Sequence, residues 1–498
     1  MLVPSLLVAL LPLSAAALPA PQYPEMRSVA RATPPAAKPM SKRAGVERLV
    51  ADLKAALART RRNGSWGVLV VSLSHGDTLF GRNPDRQFLP ASTMKLFTSA
   101  VALDRFGPEG RFETAVLRAG ALGTDGVLRG DLVLRGAGDP TLSGRPADGA
   151  AEPPMATLAR LVAGAGITRV TGAIIGDASA FDDAAVPDGW KAQYLRSPYA
   201  ARVSALSFNE NRIRVAVRPA GLRAAVTIEP SMSGVAVSNE VRVARGSRAA
   251  RVAVHEDSAG RLRLTGWIGA LSRTRVSDVV VEHPELFAAG ALRAALAELG
   301  VLVDGPARAG QAPADAVPVA ALESPPLGRI IAQMNGESNN HFAELLFRDA
   351  ARDVGVAGSA ENANVLLRRF LYEKANVPPT MVFAADGSGL SILDRVTPRA
   401  MVHLLDYVRR APWGPVLEQS LPVAGETETL RNRMRGTPAS GNLRGKTGTT
   451  SAVASLGGYV TARNGEQLAF AFIYNGGYRL RARNVIDAMG AALARFTR

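Results

Sequence analysis

The sequence predicts a mixed α/β (α+β) protein with a mainly β segment inserted into it. Three observations carry this. The 498 residues are too many for one ordinary core, and at about 150 residues per domain roughly three domains are expected. Helical periodicity and apolar strand-like runs both occur near the two ends of the chain. Between them, residues 206–282 alternate: Ile213, Val215 and Val217 stand against Arg212, Arg214, Ala216 and Arg218, and Val252/Val254 and Leu262/Leu264 repeat the pattern. A period of two with one polar face is the signature of a half-buried sheet.

The elements follow in order. Residues 1–20 carry no charged side chain, and an apolar run is followed by Ala15-Ala16-Ala17. This resembles a secretory signal with its small-residue cleavage site, which predicts export to the periplasm or cell envelope. Pro4 and Pro12 interrupt the run, which argues against a membrane span. Residues 21–43 read as a basic, proline-containing linker. Residues 25–62 hold ten basic and three acidic residues, which predicts a solvated tail that could touch an anionic membrane or wall surface. A helix is expected over 46–58, then a hairpin of 68–72 and 78–80 turning at Gly76. A helix should begin just after Pro90 and run through Phe106. The glycine-rich stretch 107–200 should hold short strands such as 132–134 and a helix near 155–165. Helices are expected at 285–300, 327–352, 361–374 and 398–410, and the chain should close as strand 454–461, strand 467–474 and helix 485–496.

Composition excludes several chemistries. Apolar residues make up 47% and charged residues 20%, which is globular. With no cysteine there is no disulfide, thiolate metal site or cysteine nucleophile. The five histidines (His75, His255, His283, His341, His403) show no close pairing of the kind that binds metal. The net charge is +16, and a protein this basic usually meets nucleic acid. No aromatic series is interleaved with the arginines, and an exported chain does not meet that partner, so none is expected. Only seven of the 59 basic residues are lysine. Lysine can lose its proton inside a protein and arginine cannot, which singles out the positions that kept lysine.

Two of those positions sit in motifs. Ser92 and Lys95, in Ala91-Ser92-Thr93-Met94-Lys95, stand three residues apart at an expected helix start, on one face and one turn apart. Serine there is flanked by unpaired backbone N–H groups that can receive an oxyanion, and a buried lysine of lowered pKa can serve as its base. Lys446, in Gly445-Lys446-Thr447-Gly448-Thr449, offers a cation on a strand edge with hydroxyls at Thr447 and Thr449 and close approach at Gly448, a cradle for a carboxylate. A third, relaying element is expected among three Ser-x-Asn tripeptides, Ser207/Asn209, Ser338/Asn340 and Ser440/Asn442. Only Ser338-Asn339-Asn340 opens onto a strong helix. No G-x-S-x-G elbow occurs, which counts against an α/β-hydrolase.

These motifs, in this order, resemble those of serine penicillin-recognising enzymes. The segments 335–346 (NGESNNHFAELL), 386–391 (DGSGLS), 421–425 (LPVAG), 430–449, 138–142 (GDPTL) and 204–211 (SALSFNEN) resemble the D-alanyl-D-alanine carboxypeptidase/endopeptidase family, the class C low-molecular-mass penicillin-binding proteins. The likeness spans about residues 46–497. The tract 190–199 departs from the family by being more basic than its usual acidic and aromatic stretch.

The resemblance implies a transpeptidase/β-lactamase-like catalytic domain from 44–103 plus 316–498. It also implies an inserted domain from 104–205 plus 283–315, which itself contains a β domain at 206–282. It implies that Ser92 attacks the penultimate D-alanine carbonyl and Lys95 takes its proton. Ser338 would relay a proton toward the leaving amine near Lys446, and Asn340 would hold the substrate amide. Lys446 and Thr447, with Gly448 and Thr449 beside them, would hold the terminal carboxylate. Peptidoglycan stem peptides would be substrates, β-lactams inhibitors, and no metal or cofactor is implied. The alternative functions are a penicillin-binding sensor that does not turn over and a wall-binding module.

Overall fold

A computed structural model describes residues 44–60, 64–143, 151–231, 234–257 and 261–498. The leader 1–20 and the linker 21–43 lie outside the described residues. Among the described residues, no helix is long and apolar enough to cross a membrane.

One five-stranded antiparallel sheet organises the two chain ends. Its order is Arg444–Thr449, Val453–Thr461, Gln467–Gly476, Gly64–Ser72, Thr78–Arg82. The central strands are buried on both faces, and their period-two alternation sorts side chains between two cores. Trp66, Val68, Val70, Phe470, Phe472 and Tyr474 join the helices Ala44–Ala58 and Arg479–Arg495. Leu69, Ala469, Ala471 and Ile473 join the opposite layer, built from Lys95–Phe106, Leu327–Glu337, Asn340–Arg352, Ala360–Ala375 and Pro398–Arg410. Arg444–Thr449, the strand of Lys446, is an edge strand.

A second sheet spans Glu113–Leu122 to Val317–Glu323, and a third runs from Arg212–Ala220 to Arg275–Val280. The third sheet is the β segment read from the alternation over 206–282. Ile213, Val215 and Val217 are buried, and the arginines between them are not. Val317–Glu323 pairs with Glu113–Leu122, so this strand belongs to the second sheet although it lies past residue 316.

Three expected helices differ from the structure; the closing one, expected over 485–496, runs Arg479–Arg495. The helix after Pro90 opens with a 3-10 turn, Ala91–Met94, before becoming α at Lys95–Phe106. The expected helix 327–352 is two helices. Ser338 takes left-handed backbone (φ 60°) and ends Leu327–Glu337. Asn339 then caps Asn340–Arg352, its side-chain oxygen accepting the Phe342 N–H at 3.2 Å. Two local capping preferences override a continuous helical pattern, and the break brings Ser338 and Asn340 to a corner.

Candidate active site

The 3-10 turn aligns residues i and i+3 more closely than an α turn does. Lys95 Nζ donates to Ser92 Oγ at 3.2 Å, to Asn340 Oδ1 at 2.7 Å and to the Ser388 carbonyl at 2.8 Å. Its three N–H bonds are thereby used, although its side chain is 0% exposed. Burial lowers the Lys95 pKa to about 8, against the pull of the carboxylates of Asp386, Glu344 and Asp394, which raise it. An amine that titrates near neutrality and touches a serine hydroxyl is suited to take that proton.

The ground beneath Lys95 is wired by carboxylates. Glu344 Oε1 accepts the Ser388 N–H at 2.9 Å and Oε2 accepts the Gly387 N–H at 3.2 Å. Asp386 accepts the N–H groups of Gly389 (2.7 Å) and Ser391 (2.6 Å) and the Trp190 indole N–H (2.7 Å). Asp394 accepts the Ala385 N–H at 2.9 Å. Burial comes first in raising Glu344 to about 7, with Asp386 adding to it and Arg348, 3.3 Å away, opposing. Gly389, at φ 85°, lies so close to the Ala91 carbonyl and the Ser92 nitrogen that no Cβ fits there. Ala91 itself has φ 48°, so backbone strain sits beside Ser92.

On the other side of the serine, Lys446 Nζ donates to Ser338 Oγ at 2.9 Å and to the Thr447 carbonyl at 3.1 Å. It is fully buried. Burial lowers its pKa well below the ordinary lysine value, and the positive charge of Lys95 adds to this. The strand pleat aims Lys446 and Gly448 toward the nucleophile turn. A Cβ on Gly448 would strike Ser455 Oγ, the Pro90 carbonyl and Ala91. Thr447 and Thr449 alternate to the other side: Thr447 Oγ1 donates to Thr429 Oγ1 at 3.0 Å, and Thr449 is exposed. Asn340 turns its amide Nδ2 to the Tyr199 carbonyl (2.9 Å), and Asn339 Nδ2 reaches Glu210 Oε2 (2.9 Å).

The structure thus joins Ser92, Lys95 and Asn340 in one hydrogen-bonded cluster and Ser338 with Lys446 in a second. The other two Ser-x-Asn tripeptides lie elsewhere. Ser207 bonds Asn211 Nδ2 and the Ser204 carbonyl, and Asn442 ties the Pro438 and Thr461 carbonyls. Sequence reasoning gave no role to Glu344, Asp386, Ser388, Trp190 or Thr429. Glu344, Asp386 and Ser388 stand inside the quoted segments, and for Glu344 the available signal is a charged residue on an otherwise apolar face of the helix Asn340–Arg352.

Residues 49–496 match the family described as D-Ala-D-Ala carboxypeptidase 3 (S13). The chain belongs to that family. It is a class C low-molecular-mass penicillin-binding protein. It is 34% identical over 447 residues to a D-alanyl-D-alanine carboxypeptidase of Actinomadura sp. (strain R39), covering 86% of this chain and 81% of that one. It is 26% identical to the D-alanyl-D-alanine carboxypeptidase DacB of Haemophilus influenzae, covering 82% and 85%. The crystal structure of penicillin binding protein 4 from H. influenzae superimposes with a TM-score of 0.76 at 24% identity, over 89% of this chain and 98% of that one. The penicillin-binding/β-lactamase-like fold is therefore that of this family member.

Proposed function

We propose that this penicillin-binding protein is an exported serine peptidase that hydrolyses the D-Ala-D-Ala bond of peptidoglycan stem peptides and/or D-Ala–meso-diaminopimelate type cross-links through an acyl-enzyme on Ser92. The single observation that carries the reading is Lys95, a buried amine 3.2 Å from Ser92 Oγ whose pKa is lowered to about 8. The two carboxypeptidase relatives support the substrate class.

In this reading Ser92 Oγ attacks the penultimate D-alanine carbonyl while its proton passes to neutral Lys95. The tetrahedral oxyanion lies against the backbone N–H groups of Ser92 and Thr449. The C–N bond breaks as the proton held by Lys95 passes through Ser338, beside Lys446, to the leaving amine, which returns Lys95 to its neutral form. Asn340 orients the peptide amide. Lys446 receives the terminal carboxylate; Thr447 and Thr449, which the pleat turns to the other face, do not share that cradle, and the space beside Gly448 is taken by Ser455, Pro90 and Ala91. Water, deprotonated by Lys95, then hydrolyses the ester. A β-lactam opens on Ser92 by the same first step, and its ester persists.

Catalytic residues 44–103 and 316–498 would form one domain, with 104–205 plus 283–315 inserted and 206–282 inserted again within that. The pairing of Val317–Glu323 with Glu113–Leu122 favours moving the return to the catalytic domain past Glu323. The basic linker would keep the protein near an anionic envelope surface.

The test uses the full chain, with D-alanine release from a D-Ala-D-Ala peptide and intact mass after benzylpenicillin. One adduct on the peptide carrying Ser92, absent in Ser92→Ala, and released D-alanine are expected. An adduct without turnover would reduce the protein to a sensor. An adduct surviving Ser92→Ala would overturn the nucleophile.

A further inference from the structure

Arg348 stands one turn after Glu344 on the helix Asn340–Arg352, and its side chain is 1% exposed. A guanidinium stays charged inside a protein, so burying it is costly unless its N–H groups find partners. Three groups meet them. Nη1 donates to Glu344 Oε2 at 3.3 Å. Nη2 donates to the Ala184 carbonyl at 3.2 Å, and Nε stands 3.8 Å from Asp182 Oδ1. The last two come from a loop at 182–184, far earlier in the chain. That loop is pinned in turn, because the Asp182 N–H donates to the Gly358 carbonyl at 3.2 Å.

Glu344 carries the contact onward. Its Oε1 accepts the Ser388 N–H, and the Ser388 carbonyl accepts Lys95 Nζ at 2.8 Å. Hydrogen bonds therefore run without a gap from the loop at 182–184 through Arg348, Glu344 and Ser388 to Lys95. The charges that act on Lys95 are Asp386, Glu344 and Asp394, so Arg348 reaches the amine through Glu344. Burial favours a neutral Glu344, and Arg348 opposes it. Other charged groups face this network from each side. Asp386 and Asp394 lie next to Glu344, Asp182 lies beyond Arg348, and Lys446 lies beyond Lys95. On the same helix Asp349 turns away, toward Arg352 and Gly138.

We propose that Arg348 is a positioning residue of the peptidase reaction, a buried fork that holds the Glu344 carboxylate beneath Lys95 and ties it to the loop at 182–184. The inference rests on the DD-peptidase reading above, in which Lys95 must be neutral to take the Ser92 proton. Without the guanidinium, Glu344 takes up a proton more readily. Lys95 then loses one of the charges that favour its ammonium form, and becomes neutral at lower pH. Arg348 thereby sets the pH at which the base is ready, without touching substrate or nucleophile.

The experiment measures the rate of benzylpenicillin acylation against pH on the full chain. The variants are Arg348→Gln, which keeps a donor and loses the charge, Arg348→Lys, which keeps the charge, Glu344→Gln, and the double variant Arg348→Gln/Glu344→Gln. Arg348→Gln should move the rising limb to lower pH by about half a unit, and no further than Glu344→Gln moves it. Arg348→Lys should leave the limb in place. The double variant should titrate with Glu344→Gln, because Arg348 has no other route to Lys95. An Arg348→Gln limb that stays at the wild-type pH with only a lower plateau would overturn the proposal and leave Arg348 a packing residue. So would a double variant displaced from Glu344→Gln, and that comparison stands even if Arg348→Gln alone fails to fold, since the double variant buries neither charge. A wild type that takes no adduct would overturn the peptidase reading itself, and this inference with it.

Discussion

Lys95 and Lys446 are both fully buried, and their surroundings are opposite. Three carboxylates act on Lys95, and three acceptors take its N–H bonds. Among the described residues no carboxylate forms an ion pair or hydrogen bond with Lys446. It has one hydroxyl, one neighbouring carbonyl and the repulsion of Lys95. One lysine has its counter-charge built into the protein and the other lacks one. The difference teaches which partner each awaits. In the proposed reaction Lys95 exchanges a proton with Ser92, and Lys446 takes an anion from the substrate. The carboxylate at the end of the substrate is that anion in the proposed reaction.

The largest effect should come from breaking the first member. Lys95→Arg keeps the charge and cannot deprotonate. Acylation by benzylpenicillin, followed by stopped assay and intact mass, should fall by on the order of 10²–10⁴, the usual range for a lost general base. A near-normal rate would make Lys95 a structural cation only.

A smaller effect sharpens the role of the carboxylates. Because Lys95 must be neutral to accept a proton, acylation should rise with pH and level off above about 8. Glu344 raises the Lys95 pKa and pins the Gly387 and Ser388 N–H groups. Glu344→Gln should therefore move the rising limb to lower pH, because removing a negative charge releases the proton more easily. A limb that stays in place, with only the plateau lowered, would mean that Glu344 shapes the loop and leaves the base untouched.

The smallest effect concerns stability. A lysine with a lowered folded pKa binds fewer protons folded than unfolded, so stability rises with pH between that pKa and the ordinary value of 10.5. Below that window the buried ammonium of Lys446 is a cost. Lys446→Met should raise the melting temperature at neutral pH by a few degrees and flatten its pH dependence. Lys95→Met strands the carboxylates that faced it and should lower the melting temperature. Shifts of the same sign in both would contradict the contrast.

Much of this was legible in the sequence because the chemistry sits in short local patterns. Ser92 and Lys95 are three residues apart, and the lysine stands out in a chain that prefers arginine. The β segment showed itself through alternation at Ile213, Val215 and Val217. Other features depend on distant residues or on local competition. The break at Ser338 arises where one αL residue and one side-chain cap interrupt a helical pattern that reads as continuous. The bond between Trp190 and Asp386 joins residues 196 apart, which no spacing could announce. The expectation that a lysine and two hydroxyls share one strand edge met the pleat, which sends Lys446 to one face and Thr447 and Thr449 to the other.

The contrast between the two lysines is tested most directly with paired peptide substrates, one ending in a free carboxylate and one in an amide, on wild type, Lys95→Arg and Lys446→Ala. A charge-assisted hydrogen bond contributes about 1.5–3 kcal/mol, so wild type should prefer the acid by at least about tenfold in kcat/KM. Lys95→Arg should slow both substrates together and keep that preference. Lys446→Ala should erase most of it. An acid preference that survives in Lys446→Ala would contradict the account, because the carboxylate would then be read by some other group.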